Sequence, residues 1–106
     1  MENQDKFQDT EFYRENLKYR ILGCLYKWSI KGLEKNITPE FEWDKKAKEW
    51  RISTSIMERV IDEMVDDGDV KYSTFGKVDL TRQGKMKARE KKLDQKYSDE
   101  QCGKGD

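Results

Sequence analysis

Six apolar residues between positions 56 and 65 constrain this chain more than any others. Ile56, Met57, Val60, Ile61, Met64 and Val65 recur at offsets i, i+1, i+4, i+5, i+8 and i+9, the spacing of a wide buried stripe on an α-helix. Ser53 stands where an N-cap belongs, with Ser55 as the competing choice. Asp67-Gly68 closes the pattern, because a helix end needs a left-handed residue and a β-carbon disfavours that conformation. A helix with so broad an apolar face must be covered on several sides. The flanking sequence therefore has to supply the cover.

Trp43, Ala47 and Trp50 share one face at i, i+4 and i+7 and predict a short helix, with Asp44 as a candidate cap. Arg51-Ile52 is the turn between the two helices. Ile52 is apolar among polar neighbours and plugs the angle between them. Downstream, Val70 and Tyr72, then Val78 and Leu80, alternate as half-buried strands do. Ser73–Gly76 makes the tight turn, with Gly76 at positive φ. Thr81 caps a basic helix over about 82–97, whose apolar positions are Met86, Leu93 and Tyr97.

Upstream, Thr10 caps a long first helix over roughly 11–30. Leu17, Ile21, Cys24, Leu25 and Trp28 form its core face, and Gly32 is its stop. Ile37 and Thr38, before the only proline, read as a strand of one or two residues that completes a small sheet. The expected fold is mainly α with a small β-hairpin (α+β), in the order helix, strand, helix, helix, strand, strand, helix. Residues 10–97 form the domain. Residues 1–9 and 98–106 read as disordered tails.

Of 106 residues, 34% are apolar and 42% charged, a thin core that dimerisation would help. The formal net charge is zero, so no global basic field attracts nucleic acid. The charge is segregated instead. Residues 53–69 set six carboxylates against Arg59 alone, a net −5, while residues 82–97 set seven cations against Glu90 and Asp94, a net +5. Cys24 at a core spacing and Cys102 in a polar tail read as unpaired thiols in a reducing cytoplasm. No apolar run reaches the ~20 residues of a membrane span, and the acidic N-terminus lacks a signal peptide's apolar region. The absence of histidine removes His-based triads and HExxH zinc sites. No phosphate-cradling glycine loop is present. No catalytic role, cofactor or metal is expected.

The stretch EWRISTSIMERVIDEMVDDGDVKYSTFGKVDLTRQGK resembles the winged helix-turn-helix of small bacterial and archaeal transcription regulators. The resemblance covers roughly 37–86. It rests on Ala47, Ile52, Ser53, the 56–65 stripe, Gly68, and Leu80-Thr-x-x-Gly84. Arg51 departs from it, since that turn often carries glycine. The resemblance implies that the helix after Ser53 enters the major groove of double-stranded DNA while the preceding helix and the wing hold phosphates. Carried over, Ser53, Thr54, Ser55, Glu58 and Arg59 face bases. Arg59 suits guanine and Glu58 suits cytosine. Lys45, Lys46, Lys48 and Arg51 lie near phosphates, as do Lys71 and Lys77 on the wing. The implied role is a sequence-specific or semi-specific regulator acting by site occupancy.

The outer face of that helix complicates this reading. With Ser53 at 0° and roughly 100° per residue, Ser55, Glu58, Arg59, Asp62 and Asp66 surround roughly 200°, opposite the apolar stripe. Carboxylates there repel phosphate. Either only the first turn inserts, or the face meets a protein, which makes a protein-docking module the alternative. The basic helix after Thr81 either grips phosphates, pairs with acidic surface, or is simply solvated. Its Met86, Leu93 and Tyr97 seam packs on the first helix or forms a homodimer interface. Trp28, Trp43 and Trp50 sit at core spacings. Phe75, at the wing tip, either contacts a groove or partner or folds back on Tyr72.

Overall fold

The computed structural model describes residues 11–35 and 39–103. The elements are α1 (Glu11–Lys35), β1 (Phe41–Glu42), α2 (Trp43–Glu49), α3 (Thr54–Asp67), β2 (Val70–Tyr72), β3 (Lys77–Leu80), α4 (Arg82–Glu90), α5 (Leu93–Lys96) and α6 (Asp99–Cys102). The protein is mainly helical with one three-stranded antiparallel sheet, ordered β1-β3-β2. Phe41 faces Val78 across one ladder, while Val70 faces Leu80 and Lys71 faces Asp79 across the other. No helix among the described residues is long and apolar enough to cross a membrane.

The α3 stripe is the centre of a single core. Ile56, Met57, Val60, Ile61 and Met64 are buried and Val65 packs at the edge. They meet Leu17, Ile21, Leu22 and Leu25 of α1, Ala47 of α2, and Val70 and Val78 of the sheet. Ile52 is buried in the elbow between α2 and α3, its N–H donating to the Ala47 carbonyl at 2.8 Å. Gly68 ends α3 at φ 85°. Gly76 turns the hairpin at φ 80°. These features follow the sequence expectation.

The Leu80-Thr-x-x-Gly84 motif has a physical reason. The Thr81 side chain accepts from the Gly84 N–H at 3.0 Å and donates to the Gly68 and Asp69 carbonyls at 2.6 and 2.9 Å. A β-carbon on Gly84 would run into the Asp69 carbonyl. The motif thus ties the start of α4 to the end of α3.

Several boundaries differ from expectation. The first helix runs to Lys35 rather than about 30. Gly32 is not left-handed and lies buried inside the helix, where a single glycine is tolerated at about 1 kcal/mol. The first strand is Phe41–Glu42; Ile37 and Thr38 lie outside the described residues. Phe41 takes the pairing because its buried ring stacks on Trp28 and meets Trp50 at a tilt, with centroids at 6.2 and 5.5 Å. Glu42, not Asp44, precedes α2, without a side-chain cap bond.

The helix expected over 82–97 is broken. Lys92 adopts φ 53°, and the chain turns so that Leu93 and Tyr97 pack on α1. A β-carbon at Gly23 would meet the Leu93 carbonyl and the Tyr97 ring, so a glycine here lets α5 lie close. Ala88 is buried in place of Met86, which is 55% exposed.

The tail expected to be disordered from residue 98 is ordered to residue 103. Ser98 and Gln101 form a reciprocal capping box around α6. The two cysteines are not free thiols: Cys24 and Cys102 form a disulfide between buried residues, with Cα atoms 5.3 Å apart. Their separation of 78 positions hid the pair, because nothing local in the sequence brings α6 to the middle of α1. The reading of a reducing cytoplasm therefore loses its support from cysteine usage. Lys27 and Lys31 each reach Asp99 at 3.1 Å, and Lys27 also donates to the Tyr97 carbonyl at 2.9 Å.

Three stability measurements follow. Reduction, or Cys102→Ser, should lower the unfolding free energy in urea titrations by roughly 2–4 kcal/mol, because the link closes a long loop. Gly84→Ala should lower it by about 1–3 kcal/mol through the backbone clash. Gly76→Ala, with open space around it, should lose only about 1 kcal/mol, from its left-handed conformation.

Candidate functional site

The expected site residues occupy two surfaces, an elbow and a hairpin. At the elbow, α2 ends at Trp50 and Arg51 adopts φ 59°. Arg51 thus takes the left-handed conformation that explains glycine at this turn in the resembling pattern, at roughly 1–2 kcal/mol for a side-chain-bearing residue. Its side chain is exposed, as are those of Lys45, Lys48, Thr54 and Ser55. Ser53 is the N-cap residue of α3, and its hydroxyl lies 3.0 Å from that of Ser55. The first turn of α3 carries no carboxylate. Lys48, Arg51 and the Ser53–Ser55 hydroxyls are therefore together in one exposed bend.

Lys46 does not join them. It is buried at 3% exposure, its ammonium 3.1 Å from both the Glu49 carboxylate and the Cys102 carbonyl. It also lies 5.1 Å from the Trp28 ring centre. The expectation that Lys46 meets phosphate is thereby overturned, because its face of α2 is covered by α6.

The hairpin is braced from both sides. Tyr72 packs edge-on against Trp43 at 5.8 Å, and the Trp43 N–H donates to the Gly76 carbonyl at 3.3 Å. The Tyr72 hydroxyl donates to the Asp62 carboxylate. That bond pushes the phenol up to about 12. Phe75 does not fold back on Tyr72; it stands fully exposed at the tip. The hairpin lysines are less available than the sequence suggests. Lys77 lies 3.7 Å from Glu40, and exposed Lys71 stands opposite Asp79 in the ladder. Burial and the nearby Glu40 raise the Asp79 carboxyl above its usual range.

The acidic face of α3 is partly neutralised from within. Lys18 and Arg14 of α1 reach Glu63 at 2.8 and 3.6 Å, and Lys18 lies 3.8 Å from Asp67. Arg59 lies 3.6 Å from Glu63. The Lys18 hydrogen bond holds the Glu63 carboxyl below its usual range. Asp62 is engaged by Tyr72. Glu58 and Asp66 remain exposed and make no ion pair among the described residues. Sequence reading missed Arg14 and Lys18, although their i, i+4 spacing on α1 places both cations on one face.

The proposed dimer seam does not exist as one surface. Leu93 and Tyr97 are buried against α1 of their own chain, and Met86 alone is exposed. No group of three or more potential metal ligands occurs among the described residues. No protein-family model, curated protein or solved structure matches the chain.

The Tyr72–Asp62 bond is directly measurable. Phenolate absorbance during alkaline titration should show Tyr72 near 12, alongside Tyr13 and Tyr97, which burial also raises, and Asp62→Asn should return Tyr72 alone toward the ordinary ~10. An unchanged titration in that variant would mean that the hairpin is not braced on α3.

Proposed function

We propose that the chain is a winged helix-turn-helix protein that binds double-stranded DNA and regulates transcription by occupying its site. The observation that carries this reading is the elbow. A left-handed Arg51 turns α2 into α3 and exposes Lys48 and Arg51 beside Ser53, Thr54 and Ser55. The element order and the β1-β3-β2 pairing, with the β2–β3 hairpin braced on α3 and α2, support it.

In this reading only the first turn of α3 approaches base edges. Arg51, Lys48 and Lys45 hold phosphates, and Lys71 and Lys77 add weaker contacts from the hairpin. Arg59 and Glu58, one turn further in, mark the limit of insertion. Asp62 and Asp66 stay outside the groove, where their charge does not oppose binding directly. A protein-docking module is the second reading, favoured by the fully exposed Phe75 and by the exposed Glu58 and Asp66, which make no ion pair among the described residues.

Fluorescence anisotropy with a random-sequence duplex at ~50 mM salt separates the two, because phosphate contacts are strongest at low salt. The DNA reading expects saturable binding that weakens steeply toward 200 mM. No binding at ~50 mM ends it in favour of a protein partner. Arg51→Gly is the informative variant, since glycine keeps the left-handed turn and removes the cation. It should leave the thermal midpoint within a few degrees, weaken duplex binding severalfold and reduce the salt slope by about 1.

A further inference from the structure

Among the described residues, cations without an ion pair occur at Lys48, Arg51 and Lys71 and gather most densely on α4 and the turn into α5. Lys18, Arg14 and Arg59 meet Glu63. Lys27 and Lys31 meet Asp99, Lys46 meets Glu49, Lys77 meets Glu40 and Lys87 meets Asp69. Arg82, Lys85, Arg89 and Lys92 are all exposed and make no ion pair among the described residues. Lys91 and Lys96 lie 5.5 and 5.9 Å from the Tyr19 ring centre and are also exposed.

Their arrangement follows from how α4 is docked. Gly84 and Ala88 face the core. With Arg82 at 0° and roughly 100° per residue, the buried pair lies near roughly 200–240°, while Lys85 and Arg89 lie near roughly 300–340°. Arg82, Lys85 and Arg89 therefore form one row over roughly 10 Å of helix. Glu90 lies off that row, near roughly 80°, and Asp94 is half-buried on α5. The left-handed Lys92 follows the row at the bend. The row starts at the far end of α3 from the elbow, because Gln83 donates to the Asp67 carbonyl at 2.6 Å and Thr81 to that of Gly68. Fourteen residues of α3 separate the two surfaces, or roughly 20 Å.

We infer that Arg82, Lys85 and Arg89, with Lys92, form a second binding strip for the phosphodiester backbone of duplex DNA, separate from the elbow. Unpaired cations in a row suit a polyanion, and three of them can displace condensed counterions with no base recognition. The acidic face of a second copy fits less well. Glu63 is met by Lys18, Arg14 and Arg59 and Asp67 by Lys18, so α3 offers the row Glu58, Asp62 and Asp66, three separate carboxylates where a duplex offers a continuous line of phosphates. The inference rests on the DNA reading above and extends its footprint beyond the elbow.

The test is duplex anisotropy from ~50 to 200 mM salt with the full chain, using a random-sequence duplex of about 24 base pairs. A variant carrying Arg82→Gln, Lys85→Gln and Arg89→Gln should bind about tenfold more weakly at ~50 mM. Its slope of log affinity against log salt should fall by about 2–3, at ~0.9 per phosphate lost. Glu90→Gln should bind slightly more tightly than wild type. Circular dichroism checks that the exposed changes leave the fold intact. A wild-type slope in the triple variant, with wild-type protein binding normally, overturns the strip and leaves the elbow reading standing. Failure of the wild-type protein to bind overturns both. Loss of self-association by sedimentation, with duplex affinity unchanged, overturns the strip as a DNA surface.

Discussion

The start and rotation of α4 are set by one buried carboxylate. Asp69 is almost without solvent exposure, and a carboxylate so placed is destabilising by several kcal/mol unless donors meet it. The donors are Lys87 at 2.8 Å and Gln83 at 3.1 Å, both from α4. The Asp69 carbonyl also accepts the Thr81 N–H at 3.1 Å. One residue therefore sets where α4 starts and how it is rotated. With Lys87 drawn inward and Gly84 and Ala88 against the core, Arg82, Lys85 and Arg89 have to face outward. The charge distribution of the surface is thus a consequence of how an interior charge is satisfied.

Much of this arrangement was legible in the sequence where the determinants are local. The α3 stripe, Gly68 as its end, Gly76 in the hairpin and Thr81 as a cap each depend on a few neighbouring residues, and each is found. What the sequence did not disclose depends on contacts between distant segments. Lys46 reads as a surface cation until α6 covers it, and α6 is held there by Cys24, 78 positions away. The bend at Lys92 follows from Gly23 on α1, where the absence of a β-carbon admits Leu93 and Tyr97. Met86 occupies an apolar position in a pattern written for one straight helix, and the bend leaves it outside.

The same distinction separates the legible from the hidden parts of the candidate site. Lys48, Arg51 and Ser53–Ser55 lie within a few residues of one another, and the elbow brings them together as their spacing suggests. The meaning of the acidic α3 face was not local. Counted along the sequence, it is a block of six carboxylates against one arginine. In the folded chain, α1 contributes Arg14 and Lys18 to it, while the phenol from β2 hydrogen-bonds Asp62 without removing its charge. Net charge over a sequence window therefore overstated the repulsion at α3. It understated the contrast with α4, whose outward cations gain no such partners among the described residues.

The disulfide also changes the topology of the chain. From Cys24 to Cys102 the protein is a closed covalent ring, and the elbow, the hairpin and the α4 row all lie within it. A single cut at the exposed hairpin tip around Phe75 would leave both pieces attached to each other and to the core. Such a nick releases no fragment while the cystine is intact, so the protein can lose continuity in its backbone without losing the proximity of its parts. Residues 1–23 and those beyond 102 stand outside that ring.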